Sequence, residues 1–230
     1  MPYIINHSHF ETLKRFPREA QGPVGWMPIS WADIVLDEWQ GFEPPLPAIR
    51  FDRNQLRSYC HDKDTPPMHA FISVMAWGKQ KPKQLQSYRE EIALRRTMIE
   101  DLVKRTRDGA SRQVAYDMWR KKVTGLGPSY ITKLLAFLSP TEDMAIMDQW
   151  AVKSINLLYD QEVIRLLPKG SPNCSPDASC RGTDYERYCS YLEDLQGRLG
   201  EPTLSATEER IFSKSAPATW RAYVIDTLRA

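Results

Sequence analysis

The chain has 230 residues, of which 42% are hydrophobic and 26% charged, with a formal net charge of +2. That length allows a sizeable core, and the composition is ordinary for a globular domain. The charge is too balanced to demand a polyanionic partner, so a nucleic-acid reading has to come from local clusters. No apolar run approaches the ~20 residues of a membrane span. The start, MPYIINHSHFETLKRF, lacks the basic head and apolar middle of a signal peptide, so a cytoplasmic location with no membrane partner is expected.

Taken in order, residues 1–65 read as a mixed, loop-rich segment packing on a helical body. A short helix is expected over 9–16 and another over 52–62, capped by Asp52. Between them, 23–47 is rich in Pro, Gly and Trp, with a possible helix at 31–39. Its tryptophans Trp26, Trp31 and Trp39 suit core packing or, secondarily, stacking on a ligand. Residues 66–165 read as the helical core. PMHAFISVMAW over 67–77 is apolar on nearly every side, a buried helix ended by Gly78. A basic loop at 79–83 leads into a long amphipathic helix over 84–107, with Ile92, Leu94, Met98, Leu102 and Val103 on its apolar side. Helices follow over 111–122, 128–138 and 149–159. In 166–230, a loop at 166–183, the likeliest crossing or disordered segment, precedes helices over 185–199, 205–213 and 217–228. Ser205 and Glu208 fit a capping box. No convincing strand alternation is visible beyond residue 65, so the fold is expected to be mostly or wholly α, in two lobes with a cleft between them.

Four cysteines occur, and Cys174, Cys180 and Cys189 fall in or just after that loop. Metal binding needs tight spacings and about four ligands. Here the gaps are five and eight residues with no histidine following, so no metal is expected and reduced thiols are the better reading.

The stretch that carries chemistry is Val123-Thr124-Gly125-Leu126-Gly127-Pro128-Ser129, followed by Ala145-Ile146-Met147-Asp148. Two glycines around one apolar residue make a tight turn between helices. Pro128 suits a first helical position, and the free N–H groups of that helix start suit a phosphate. Gly125, Leu126, Gly127 and Ser129 are therefore candidate DNA-backbone contacts, with Lys121 and Lys122 beside them and Arg112 and Arg120 nearby. The competing reading of these charges is a solvated helix face. Asp148 stands alone at a helix start, where it is either an N-cap or a working carboxylate, and the two roles are compatible.

These residues resemble the helix-hairpin-helix DNA glycosylases, above all the branch with the 8-oxoguanine glycosylase fold. GLGPSYITKLLAFL followed by AIMDQWAV carries the resemblance, over about 50 residues. The resemblance implies an enzyme acting on double-stranded DNA as a monomer. Its hairpin grips the backbone, in some members around a monovalent cation, and a modified or damaged base is flipped into a pocket between two lobes. Asp148 matches the family's essential aspartate, whose charge stabilises the positive sugar that forms as the N-glycosidic bond breaks. Lyase members carry a lysine early in the second helix; that place falls on Ser129, which implies a monofunctional enzyme leaving an abasic site. Lys133, one turn on, is a candidate displaced nucleophile or phosphate contact, or a bystander. For the base pocket, Trp77, Tyr88, Gln149 and His69 are candidates. The base is either oxidised or damaged, which means repair, or a modified cytosine of phage DNA, which means defence. The alternative class is a non-catalytic hairpin module that only binds DNA.

Overall fold

Proline and side-chain caps set where the helices of this chain begin. α2 (Pro28–Val35), α4 (Pro67–Trp77), α5 (Pro82–Arg107) and α7 (Pro128–Leu138) each start on a proline, whose missing N–H is no loss in a first turn. Side-chain caps open α1 (His7–Lys14) at Asn6, α3 (Arg53–His61) at Asp52 with a reciprocal Gln55, α8 (Gln149–Leu158) at Asp148 and α11 (Trp220–Thr227) at Thr219. α6 (Arg112–Trp119), α9 (Gly182–Leu199) and α10 (Leu204–Phe212) complete the set. The computed structural model describes residues 3–18, 21–36, 45–78, 82–171, 173–212 and 219–229. Among them the fold is mostly α: eleven helices and one antiparallel pair, β1 (Leu166–Leu167) with β2 (Ser175–Pro176).

α4 is the hub of the first half. Its residues from Met68 to Trp77 are buried, as an all-round apolar helix requires, and it packs on α2, α3, α5 and α7. In the second half α9 packs on α6 and α10, and α8 packs on α10, α11 and α1. The start of the chain thus joins its end: Asn6 N–H donates to the Leu158 carbonyl at 2.7 Å, and Arg198 donates to the Tyr3 carbonyl at 3.0 Å. One hydrophobic core runs from Ile5 to Val224.

Four local expectations change. Leu94 is 78% exposed, because the buried stripe of α5 is Ile92, Ile99, Leu102 and Val103, and Leu94 lies on the opposite side from Ile92. The helix before the hairpin stops at Trp119, not 122, since Arg120 turns extended and Lys121 takes φ +59°. Ser205 caps nothing: α10 already starts at Leu204, the Thr203 hydroxyl accepts from Ala206 N–H, and Glu208 points inward. The 166–183 loop contains the two strands, and the N–H of Asp177 donates to the Arg165 carbonyl. In the first segment the helix expected over 31–39 is α2, which starts three residues earlier and ends at Val35, before the extended Leu36; Trp39 and the 79–81 part of the basic loop lie outside the described residues.

Candidate active site

α7 and α9 together hold the extended run that delivers Asp148. The Ser129 hydroxyl donates to the Met147 carbonyl at 3.2 Å, and the Thr132 hydroxyl accepts from Met147 N–H at 2.9 Å. From the other side the Tyr185 hydroxyl bonds both backbone groups of Ala145, and Tyr188 donates to the Ile146 carbonyl. These four side chains leave the run little freedom. Asp148 then caps α8, its Oδ1 accepting from the N–H groups of Trp150 and Ala151 at 2.8 and 2.9 Å. The end of the helix that favours negative charge therefore faces this carboxylate.

Asp148 lines a cavity of about 120 Å³ together with Lys133, Trp77, Gln21, Arg53 and Glu208. Lys133 comes from α7, and its ammonium lies 5.0 Å from the Tyr130 ring centroid and 3.3 Å from the Ser129 carbonyl. Burial draws its amine below the usual lysine range, while Asp148 and Glu208 work against that shift. Arg53 and Glu208 form a buried ion pair at 2.5 Å between α3 and α10, at 9% and 1% side-chain exposure. Burial opposes the charge of Arg53, but Glu208, Glu209 and Asp148 outweigh it and its pKa is raised. For Glu208 burial wins over Arg53, and the carboxyl is pushed up to about 7. Four buried polar atoms of this cavity lining lack hydrogen-bond partners among the described residues: Gln21 Oε1, Arg53 Nε, Trp77 Nε1 and Glu208 Oε1, with Arg53 Nε held only by an ion pair to Glu209 at 3.3 Å. Such atoms are costly unless something satisfies them.

The hairpin has its own supports. Gly125 takes φ +85°. Its carbonyl accepts from Gly127 N–H at 3.0 Å and from the Tyr88 hydroxyl at 2.7 Å. Glu91 accepts from Thr124 N–H at 3.2 Å and pairs with Arg95. Among the described residues, no bond engages the N–H groups of Gly125 and Ser129. Lys121 and Lys122 are exposed beside a groove of about 310 Å³ along Gly125, Leu126 and Gly127. The other two basic residues of this region are committed elsewhere. Arg112 is buried against Asp143, Glu186 and Glu193, and Arg120 donates to the Cys180 and Ser179 carbonyls.

Of the candidate pocket residues, the structure brings only Trp77 to the cavity with Asp148 and Lys133. It packs edge-on against Phe137 at 4.9 Å. Tyr88 supports the hairpin instead. His69 is 3% exposed inside the α4 core. Gln149 faces a separate cavity, where its amide, with O and N assigned to suit their neighbours, donates to the Cys174 carbonyl and accepts from the Trp150 indole. Trp31 is core, and Trp26 is half-buried with its backbone N–H donating to the Ala76 carbonyl. The four cysteines are buried and unpaired, and among the described residues no three His, Cys, Asp or Glu side chains cluster as metal ligands.

The family model described as "Putative 8-oxoguanine DNA glycosylase OGG-like protein" matches residues 18–212. The chain belongs to this OGG-like family. By that description the family is one of DNA glycosylases, and the match spans the hairpin, Asp148 and both sides of the cavity. No curated protein and no solved structure matches the chain. No described helix is long and apolar enough to cross a membrane.

In this OGG-like chain, three polar cavity residues escaped the sequence reading: Gln21, Arg53 and Glu208. Gln21 and Val24 reach the cavity because the chain turns tightly onto α4 at Gly25, with φ +75°. A Cβ there would lie 2.4 Å from the Ala76 carbonyl oxygen. That glycine, four residues after Gln21, was the one available signal. Arg53 follows its helix cap directly and Glu208 fits a capping box, so local patterns explained both away.

Proposed function

We propose that this OGG-like protein is a monofunctional DNA N-glycosylase that takes a damaged or modified base out of double-stranded DNA and leaves an abasic site. The observation that carries the reading is a carboxylate held at a helix N-terminus, in the wall of a small cavity whose buried polar atoms lack partners. The hairpin grips the phosphate backbone through its free amides, with Lys121 and Lys122 adding charge. The flipped base enters the cavity, where Trp77 Nε1, Gln21 Oε1 and Glu208 Oε1 meet its polar edge. As the base departs with its bonding electrons, positive charge builds on the sugar, and Asp148 stabilises it and positions the attacking water. Ser129 has no amine for a Schiff base, which supports hydrolysis without strand cleavage. The small cavity supports a bare or lightly oxidised base, and so repair, over a cytosine carrying a bulky substituent. A monovalent cation does not fit at the Gly125 carbonyl, which already accepts two hydrogen bonds, and no step here is routed through one. The enzyme acts as a monomer.

A second reading has its own support. Lys133 shares the cavity with Asp148, and burial favours its neutral, nucleophilic amine. In that case the amine bonds to the sugar carbon as the base leaves.

The test is incubation with duplexes carrying different modified bases, followed by mass spectrometry of the released base. Asp148→Asn should keep DNA affinity within about threefold and lose base release by 100-fold or more, the scale of a lost electrostatic stabiliser. Unchanged release would remove Asp148 from the mechanism. If no duplex acquires alkali-labile sites, the protein is a binding module. Quenching the same reactions with borohydride should trap nothing; an adduct that disappears in Lys133→Gln establishes the second reading.

A further inference from the structure

A second cavity, larger than the one at Asp148, lies beside the first turn of α8. It measures about 610 Å³, within the ~300–1,000 Å³ range of ligand sites, and opens on the other side of Gln149. Trp150, Lys153 and Asn156 of α8 form one wall, Lys169 and Asn173 of the cysteine loop another, and Arg229 after α11 the third. Among the described residues lining it, the charged ones are Lys153, Lys169 and Arg229 against Glu162, so the cavity favours an anion.

The cysteine loop connects this cavity to the hairpin. At one end Arg120, at the foot of the hairpin, donates to the Cys180 and Ser179 carbonyls at 2.8 and 3.2 Å. At the other end the Gln149 amide, next to Asp148, lies 2.6 Å from the Cys174 carbonyl and donates to it once its O and N are assigned to suit their neighbours. Between them β2 packs on both α7 and α8. Described residues of this loop therefore touch both places, Ala178 at the hairpin groove and Ser171, Asn173 and Cys174 at the cationic cavity.

We propose that this cavity is a second phosphodiester-binding site, which receives the DNA backbone beyond the flipped nucleotide through Lys169, Arg229 and Lys153. The inference rests on the reading that the protein binds duplex DNA. It gives the cysteine loop a role as the track between two backbone grips, with its buried thiols serving as packing. Two grips on either side of Asp148 would bend the strand around the flipped nucleotide and hold it there.

The experiment uses the full chain and a fluorescent duplex carrying a stable abasic analogue, so that base recognition plays no part. Affinity is measured by anisotropy between 50 and 200 mM salt. Each lost phosphate contact lowers the slope of log affinity against log salt by about 0.9. Lys169→Gln/Arg229→Gln should therefore lower that slope by about 2, and weaken binding about tenfold or more at the low-salt end. Lys104→Gln/Arg105→Gln, on exposed α5 positions, removes the same net charge and should leave the slope unchanged. An unchanged slope in the first variant, or an equal fall in both, overturns the proposal. If the first variant is misfolded by circular dichroism, Lys169→Gln alone should still lower the slope by about 1, and no change there counts against the site equally. Wild-type protein that does not bind the duplex would sink this proposal and the DNA reading together. Protein that binds but releases no base would sink only the glycosylase reading.

Discussion

Glu208 sits at 1% exposure beside Arg53, and burial outweighs that guanidinium, so its carboxyl is pushed up to about 7. The charged groups around it come from four helices: Arg53 of α3 favours ionisation, Glu209 of α10 and Asp148 at the start of α8 oppose it, and Lys133 of α7 lies across the cavity. The ordinary glutamate value is 4.5. Between that pH and about 7, the folded protein keeps a proton that the unfolded chain has released. Stability therefore falls as pH rises through this window. Glu208→Gln removes the titration, so its thermal stability should stay flatter from pH 4.5 to 7.5. The difference in slope between the two proteins, integrated over the window, should be on the order of 3 kcal/mol. Melting curves at pH 4.5, 6 and 7.5 measure it, and parallel profiles would assign the proton to another group.

α5 shows how one element prepares another. Tyr88 and Glu91 lie one turn apart, and they hold a carbonyl and an amide of the hairpin respectively. The N–H of Thr124, ahead of the Arg95 pair, keeps the Glu91 carboxyl below the usual range. Gly125 has to accept φ +85° under the Tyr88 ring, where a Cβ would lie 3.3 Å from the ring edge. Gly125→Ala should cost about 1–2 kcal/mol in the left-handed region. Affinity for unrelated duplexes should then fall by about 5- to 30-fold, equally for each, and a sequence-dependent loss would argue against a backbone grip. The hairpin itself was legible, because two glycines and a proline at fixed offsets encode a turn locally. Its supports were not: Tyr88 is 37 residues from Gly125, and nothing in the pattern of a long polar helix marks which residues reach another element. Asp148 was legible as a cap after an apolar run. The Arg53–Glu208 pair, 155 residues apart, has no local signature, and Glu208 fitted a cap so well that its inward direction was hidden. Arg112 and Arg120 were read as backbone contacts because the acids and carbonyls that hold them belong to α9 and the cysteine loop.

At the scale of the molecule, mostly-α was readable from periodicity, but the pairing of chain start with chain end was not. α1 is a short helix whose apolar residues give no address. In the fold, Leu13 is fully buried, His9 bonds the Tyr223 hydroxyl at 2.7 Å, and Arg210 reaches the Lys14 carbonyl. α1 packs on α8, the helix that Asp148 caps, so this carboxylate stands on a platform built partly from residues near the start of the chain. The core is continuous from Ile5 to Val224, and the cavity residues come from α3, α4, α7 and α10 around it. A core shared in this way should unfold as a unit. Urea denaturation followed by tryptophan fluorescence and by far-ultraviolet circular dichroism should give one coincident transition. Leu13→Ala, a large-to-small change at a fully buried site, should shift that whole transition by about 2–5 kcal/mol. If the two halves of the chain were instead independent, Leu13→Ala would lower only an early phase, leaving a later phase at its wild-type midpoint. Such a biphasic curve would mean that α1 stabilises the Asp148 side alone and that the cavity lies between two separately folding bodies.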